Sequence, residues 1–210
     1  MDSAQWIVIG VGVFIFAVSV SGAWYNRWVA QRVVKWWNDG VKKLGRPGVP
    51  RWGNALHSKG QLLMDEVRAP FRKLEIFFVL ESRENPAVWI YHHLRGRRDE
   101  LILRADLRQA PSLECEARPQ GTRGLERYLA VVDQPYKLWK DGGKFTIAWR
   151  GANDPAALER LRVFLEKYPQ DRLRVSLQSA SDHLALRIHL TRLLTTPADE
   201  FFAGLKGWLR

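Results

Sequence analysis

Cysteine and histidine most often carry covalent or metal chemistry, and this 210-residue chain has one cysteine and five histidines. The single cysteine, Cys115, lies between Glu114 and Glu116, whose charges disfavour the thiolate that a nucleophile needs. Its place in an alternating apolar segment predicts a buried strand residue. A single cysteine also excludes an internal disulfide and fits a reducing compartment.

The histidines do not have the spacing of a metal site. His92 and His93 are adjacent, so on a strand their side chains point to opposite faces. His183 and His189 lie six residues apart on one predicted strand, too far apart to share an ion without other ligands. We therefore predict no metal site, no cofactor and no catalytic residue.

Acidic pairs such as Asp65-Glu66 and Asp199-Glu200 lie near helix-like segments, where such pairs are usually solvated. General acid-base catalysis requires two groups that converge in a pocket, and sequence spacing does not show convergence. An enzyme acting on a lipid-linked, membrane-proximal substrate therefore stays an alternative interpretation.

Aromatic and basic residues alternate along a predicted hairpin, a pattern that can stack bases and bind phosphates. They are Tyr136, Lys137, Trp139, Lys140, Lys144, Trp149 and Arg150. The net charge is +11, but it is unevenly distributed along the chain. The first 60 residues carry eight basic and two acidic side chains, whereas the other 150 residues carry 25 basic and 20 acidic ones. Membrane topology explains much of this basicity. A membrane-tethered nucleic-acid-binding module is therefore the less favoured alternative.

The elements that must position these residues begin with a predicted transmembrane anchor over residues 1–26. Residues 6–24 contain no charged side chain, and a helix over them is about 27 Å long. The hydrocarbon core of a bilayer is roughly 30 Å thick. Trp6 and Trp24 would then lie at the two interfaces, where indole is favoured.

A cleaved signal peptide is the alternative to this anchor, because Ser21, Gly22 and Ala23 are small residues of the kind that a signal peptidase requires. Signal peptides begin with positive charge, whereas only Asp2 precedes this apolar run. Seven basic residues follow the run before residue 52, and by the positive-inside rule they keep the C-terminal side cytoplasmic. We predict an uncleaved single-pass membrane protein with its N-terminus outside and its C-terminal domain in the cytoplasm.

Residues 27–44 predict a basic amphipathic helix. Apolar residues recur at spacings of three and four, and the opposite face carries five basic side chains and one acidic one. Such a helix fits the plane of an anionic membrane surface. It equally fits a continuation of the transmembrane helix that packs on the domain or on a partner subunit. The pattern shows that one face is buried and not what buries it.

Two sets of site residues follow, because tryptophan is favoured at the membrane interface and each nearby basic residue adds about 1 kcal/mol of attraction to anionic lipid. The predicted membrane-interface residues are Trp6, Trp24, Trp28, Trp36 and Trp37. The predicted anionic-lipid-binding residues are Arg32, Lys35, Lys42 and Lys43.

A Pro/Gly linker over residues 45–53 leads to a predicted cytoplasmic domain over residues 54–210. Predicted helices are 54–69, 124–131, a segment from Asp154 to before Pro169, and 197–209. Predicted strands are 73–82, 88–94, 100–108, a segment around 113–117, a hairpin over 136–150, and a second hairpin of 172–178 and 183–191. Mostly antiparallel strands with segregated helices predict an α+β fold.

An anchor, a second surface helix and a domain without catalytic motifs leave contact with a partner as the evident use of the domain. We therefore infer a binding or assembly module, a structural or accessory subunit of a membrane complex. Its predicted partners are the membrane, anionic lipids and one or more protein subunits.

Overall fold

The computed structural model describes residues 2–42, 44–46, 49–53, 58–64, 67–120, 136–140, 144–152, 154–168, 173–179 and 183–209. The helices among them are α1 Ser3–Val41, α2 Pro86–Leu94, α3 Pro155–Lys167, α4 Leu190–Leu193 and α5 Ala198–Trp208. The strands are β1 Arg51–Trp52, β2 Lys59–Met64, β3 Phe71–Val79, β4 Glu100–Leu107, β5 Leu113–Pro119, β6 Lys137–Lys140, β7 Phe145–Gly151, β8 Arg174–Leu177 and β9 Leu184–His189. The predicted helix over 124–131 lies outside the described residues.

The strands of the described residues form one nine-stranded sheet in the order β1-β2-β3-β4-β9-β8-β5-β7-β6, with every pairing antiparallel. In its centre Leu103 is paired with Ile76 on one side and Leu186 on the other, and all three are buried. Paired residues share a face, so one face of the sheet is the apolar core. The opposite face carries charged residues such as Arg104 and Arg187. The predicted α+β fold is confirmed.

Helix α1 is continuous over 39 residues, about 58 Å of helix. Residues 2–17 are exposed on every side. From Gly22 onward one face is buried, and Trp36 lies there with its ring centroid 5.5 Å from that of Phe201. At Gly40 an added Cβ would lie 2.6 Å from the Phe202 ring, so α1 and α5 pack closely. The apolar face of residues 27–41 is therefore covered by the chain's own domain.

The segment predicted as a helix over 54–69 contains a strand instead. Residues 59–64 form β2, which pairs along its whole length with β3. Residues 54–57 and 65–66 lie outside the described residues. Tertiary pairing overrides a helix-like composition here, because alternate residues of β2 enter the core.

The segment predicted as a strand over 88–94 belongs to helix α2. Asn85 caps this helix, since its side-chain oxygen accepts a hydrogen bond of 3.2 Å from the amide of Val88, and Pro86 occupies the first position. The same arrangement begins α3, where Asp154 accepts from the amide of Ala157 at 2.9 Å. That helix and the C-terminal one were predicted correctly.

The segment predicted as a linker over 45–53 joins the sheet at its edge. Gly45 pairs with Val67, and β1 pairs with residues 60–61 of β2. Residues 47–48 lie outside the described residues. The other described positions place the segment against the domain.

Cys115 lies fully buried in β5, and burial raises the pKa of its thiol to about 12 from an ordinary value of 9.0. Compared with a thiol of pKa 9.0, a thiol of pKa about 12 has a roughly thousand-fold smaller thiolate fraction at pH 8. We therefore expect native protein to resist a maleimide at pH 8 for hours. In urea, where burial is lost, one thiol per chain should react within minutes. Rapid labelling of the native chain would contradict this burial.

Candidate membrane-interface site

The first half of α1 is exposed and apolar. Among the described residues, one helix is long and apolar enough to cross a membrane, and 6% of its most apolar 18-residue window is buried. The core helix of a soluble domain would have that window mostly covered. This exposure makes α1 a candidate span.

Burial of α1 begins at Gly22, where the loop between β3 and α2 contacts the helix. A Cβ at Gly22 would lie 2.1 Å from the backbone carbonyl oxygen of Arg83. Only glycine allows this approach without a shift of the backbone. Gly22, the middle of the three small residues that resembled a peptidase site in the sequence, therefore has a packing role.

Asn26, one helical turn later, is fully buried and joins α1 to the same loop. Its Nδ2 donates to the backbone carbonyl of Glu81 and to a carboxylate oxygen of Glu84, both at 3.0 Å. Its Oδ1 accepts from Nη1 of Arg83 at 3.1 Å. The side chain thus has partners for both of its polar atoms, as a buried amide requires.

Arg83 and Asp99 form a bidentate ion pair next to Asn26. Nη1 and Nη2 of Arg83 lie 3.0 Å from Oδ1 and Oδ2 of Asp99, and Asp99 also accepts from the amide of Glu81 at 2.8 Å. The guanidinium lies 4.8 Å from the centre of the Tyr25 ring. This ion pair therefore connects α1, the loop after β3 and the start of β4.

Glu81 completes the cluster and connects it to α2. Its Oε2 accepts from Nε1 of Trp89 at 2.6 Å, and Nδ1 of His93 lies 3.4 Å away. Arg83 and Arg98 approach the same carboxylate at 3.5 and 3.6 Å. Both buried carboxylates, Glu81 and Asp99, are thus paired with arginines. The arrangement is suited to fixing α2 against α1 rather than to proton transfer.

Above the cluster, α1 and α2 enclose a groove of about 440 Å³. It is lined by Phe14, Ala17, Val18, Ser21, Gly22, Tyr25, Arg83 and Trp89. Except at Arg83 and the Ser21 hydroxyl, these side chains are predominantly apolar. The groove therefore runs from the charged cluster along the candidate span.

The outer side of α2 is apolar and exposed. No residue of α2 is buried, and Leu94 has 81% of its surface exposed. The other exposed large apolar side chains are Val88, Ile90 and Tyr91. Sequence reasoning missed this site because it assigned the segment to a strand, although the Asn85-Pro86 capping signal was present.

The structure separates the predicted interface tryptophans into two groups. Trp6, Trp24 and Trp28 are exposed. Trp36 and Trp37 are buried: Trp36 donates from Nε1 to the carbonyl of Thr196 at 2.9 Å, and both indoles contact Phe202. This corrects the prediction for these two residues, because the protein core surrounds them and they are closed to lipid.

The predicted lipid-binding cations lie along the exposed side of α1. The guanidinium of Arg32 stacks 4.7 Å from the centre of the Trp28 ring, Lys35 is exposed, and Lys42 lies 2.7 Å from Asp39. Lys43 lies outside the described residues. Lys42 is 18 positions beyond Trp24, about 27 Å along the helix. Their role in lipid binding stays a prediction.

A second groove, of about 1150 Å³, lies at the C-terminal end of α1. Five of its lining residues are cationic: Lys42, Arg46, Arg68, Arg72 and Arg108. Lys42 and Arg72 pair with Asp39 and Asp106, and Arg108 donates to two backbone carbonyls. We call this set the basic groove. Its net charge suits an acidic ligand.

The hairpin considered for nucleic acid uses its side chains within the protein. Nζ of Lys137 lies 4.8 Å from the centre of the Trp149 ring, which is itself buried. Arg150 forms an ion pair with Glu114 at 2.6 Å. Trp149 is therefore closed to stacking on a base. The parts of the chain that the structure describes also contain no group of three or more histidine, cysteine or acidic residues suited to a metal ion.

No protein-family model matches this chain, and no curated protein matches it either.

Proposed function

We propose that the chain is a single-pass membrane protein, with its N-terminus outside, whose cytoplasmic domain is a binding and assembly module of a membrane complex. The continuity of α1 carries this proposal. One half of the helix is exposed and apolar, and the other half is part of the domain core. A continuous helix leaves no flexible linker, so the domain would be held at a fixed height and orientation above the membrane.

The charge pattern supports the proposed orientation. Asp2 is the single charged side chain before the span, whereas Arg27, Arg32 and Lys35 follow it within twelve residues. Basic residues that flank a span favour the cytoplasmic side. The packing of Gly22 and Asn26 on the domain favours an anchor over a cleaved signal peptide, since both residues have structural partners.

The basic groove supports a protein partner with an acidic segment. It lies about 27 Å beyond Trp24 along α1, which exceeds the Debye length of roughly 8 Å at physiological salt, so the field of a membrane surface would be screened there. Acidic side chains of a partner would match the excess charge of Arg46 and Arg68, which are exposed.

Purification in mild detergent followed by mass spectrometry tests this function. We expect one or more membrane subunits to co-elute in fixed ratio with the chain. An R46E/R68E variant should lose them, because two repulsive charges would replace two attractive ones, whereas the charge-matched K59E/K73E variant should retain them. Repeated recovery of the chain alone would contradict the assembly role.

A further inference from the structure

Helix α2 shares a surface with the proposed span itself. Trp89 lines the same groove as Phe14, Ala17 and Val18. Phe14 lies ten positions before Trp24, about 15 Å further along α1 towards the N-terminus. If Trp24 marks the cytoplasmic interface, as the proposed function requires, the groove reaches into the cytoplasmic leaflet. Helix α2 then lies at membrane depth.

The outward side of α2 fits that depth. Ile90, Tyr91 and Leu94 expose half or more of their surface, and a contiguous apolar patch of this kind marks an interaction surface in a soluble environment. Nine residues make about 14 Å of helix, too short to cross a bilayer. A short apolar helix with a satisfied N-cap can lie in the interface instead, since its backbone groups are hydrogen-bonded.

Basic residues border α2 on its C-terminal side. Arg95 stacks 4.5 Å from the centre of the Tyr91 ring, and Arg97 is exposed next to it. Arg98 is held by the carbonyl of His93 at 3.0 Å and by Glu81. Cations beside an interfacial apolar helix match the phosphates of anionic lipids.

We propose that α2 is a second membrane element, a short helix inserted into the cytoplasmic leaflet beside the span, with Arg95 and Arg97 on lipid phosphates. The Asn26, Glu81, Arg83 and Asp99 cluster fixes its depth relative to α1. This inference rests on the proposed membrane anchoring. It adds that the domain contacts lipid through its own fold.

Fluorescence quenching of the full chain in vesicles tests the inference. Four variants would each carry one environment-sensitive label on an introduced cysteine: Ile90→Cys, Leu94→Cys, Phe14→Cys and Val163→Cys. Buried Cys115 would stay unlabelled. Vesicles would contain phosphatidylcholine and phosphatidylserine, with a nitroxide on the lipid chains or a quencher in the water. Val163 on α3 is the matched control, because it is also an exposed apolar residue on a helix.

We expect labels at positions 90 and 94 to be quenched severalfold more by the lipid nitroxide than the label at 163, and to be shielded from the aqueous quencher. Lipid quenching at position 14 with none at 90 and 94 would overturn the insertion of α2 and leave the anchor intact. Absence of lipid quenching at position 14 as well would overturn the proposed anchoring and, with it, this inference.

Discussion

Replacing Trp37 by alanine should lower the free energy of unfolding of the domain by about 3–5 kcal/mol, the range for removal of a buried tryptophan. Trp37 has 0% of its surface exposed, and its indole packs edge-on against Phe202 with 5.8 Å between ring centroids. The truncation would leave a cavity between α1 and α5. Urea unfolding in mild detergent, followed by circular dichroism, measures the loss.

Trp24→Ala is the matched control, since it removes the same side chain from the same helix. Trp24 has 68% of its surface exposed, so its replacement should change the free energy of unfolding of the domain by no more than about 0.5 kcal/mol. Equal destabilisation by the two substitutions would contradict the packing of α1 into the domain. A negligible effect of Trp37→Ala would contradict it as well.

Replacing Arg83 by methionine should destabilise the chain by about 3–5 kcal/mol, because it leaves the buried carboxylate of Asp99 without its cation. Asp99 would lose both of its hydrogen bonds from the guanidinium, and Glu81 would lose a neighbouring charge at 3.5 Å. The side-chain oxygen of Asn26 would also lose the hydrogen bond that it accepts from Arg83. The cluster should open, and α2 should separate from α1. Hydrogen exchange of the α2 amides would then increase together with the loss measured in urea.

The same substitution at Arg72 provides the control. Arg72 also pairs with an aspartate, Asp106, but 70% of its side chain is exposed, compared with 19% for Arg83. An exposed ion pair contributes about 0–1 kcal/mol. If Arg72→Met and Arg83→Met proved equally mild, the buried cluster would not be what fixes α2 to the span.

The sequence predicted what local patterns determine and missed what tertiary contacts determine. The uninterrupted apolar run was sufficient to predict the exposed half of α1, and the Asp154-Pro155 capping signal was sufficient to predict the start of α3. The second half of α1 showed an apolar face, but only the structure could identify α5 as its cover, since Trp36 and Phe202 are 166 positions apart.

The two wrong local assignments have physical reasons. The residues of α2 include valine, isoleucine, tryptophan and tyrosine, which favour strands, and the Asn85-Pro86 cap was the signal that outweighed them. In β2 the pairing with β3 decides the conformation, and pairing is not visible in a single strand. The charged cluster joins positions 26, 81, 83 and 99, a set that no spacing rule would bring together.

The candidate span and the domain share one helix, which distinguishes this chain from a domain on a flexible tether. A tethered domain samples many orientations, whereas α1 would hold this one upright with α2 against the lipid. The basic groove would then face away from the membrane at a constant distance. Such geometry suits a subunit that positions a partner above the bilayer.

Sidedness of the chain in its native membrane tests the central claim most directly. Ser3→Cys and Ser112→Cys place single reactive thiols at the two ends of the proposed arrangement, on a background where Cys115 is closed to reagents. A membrane-impermeant maleimide applied to intact cells should label position 3 alone, and position 112 should be labelled only after the membrane is permeabilised. The chain should also stay in the membrane fraction during carbonate extraction. Labelling of both positions from one side, or release by carbonate, would contradict the account.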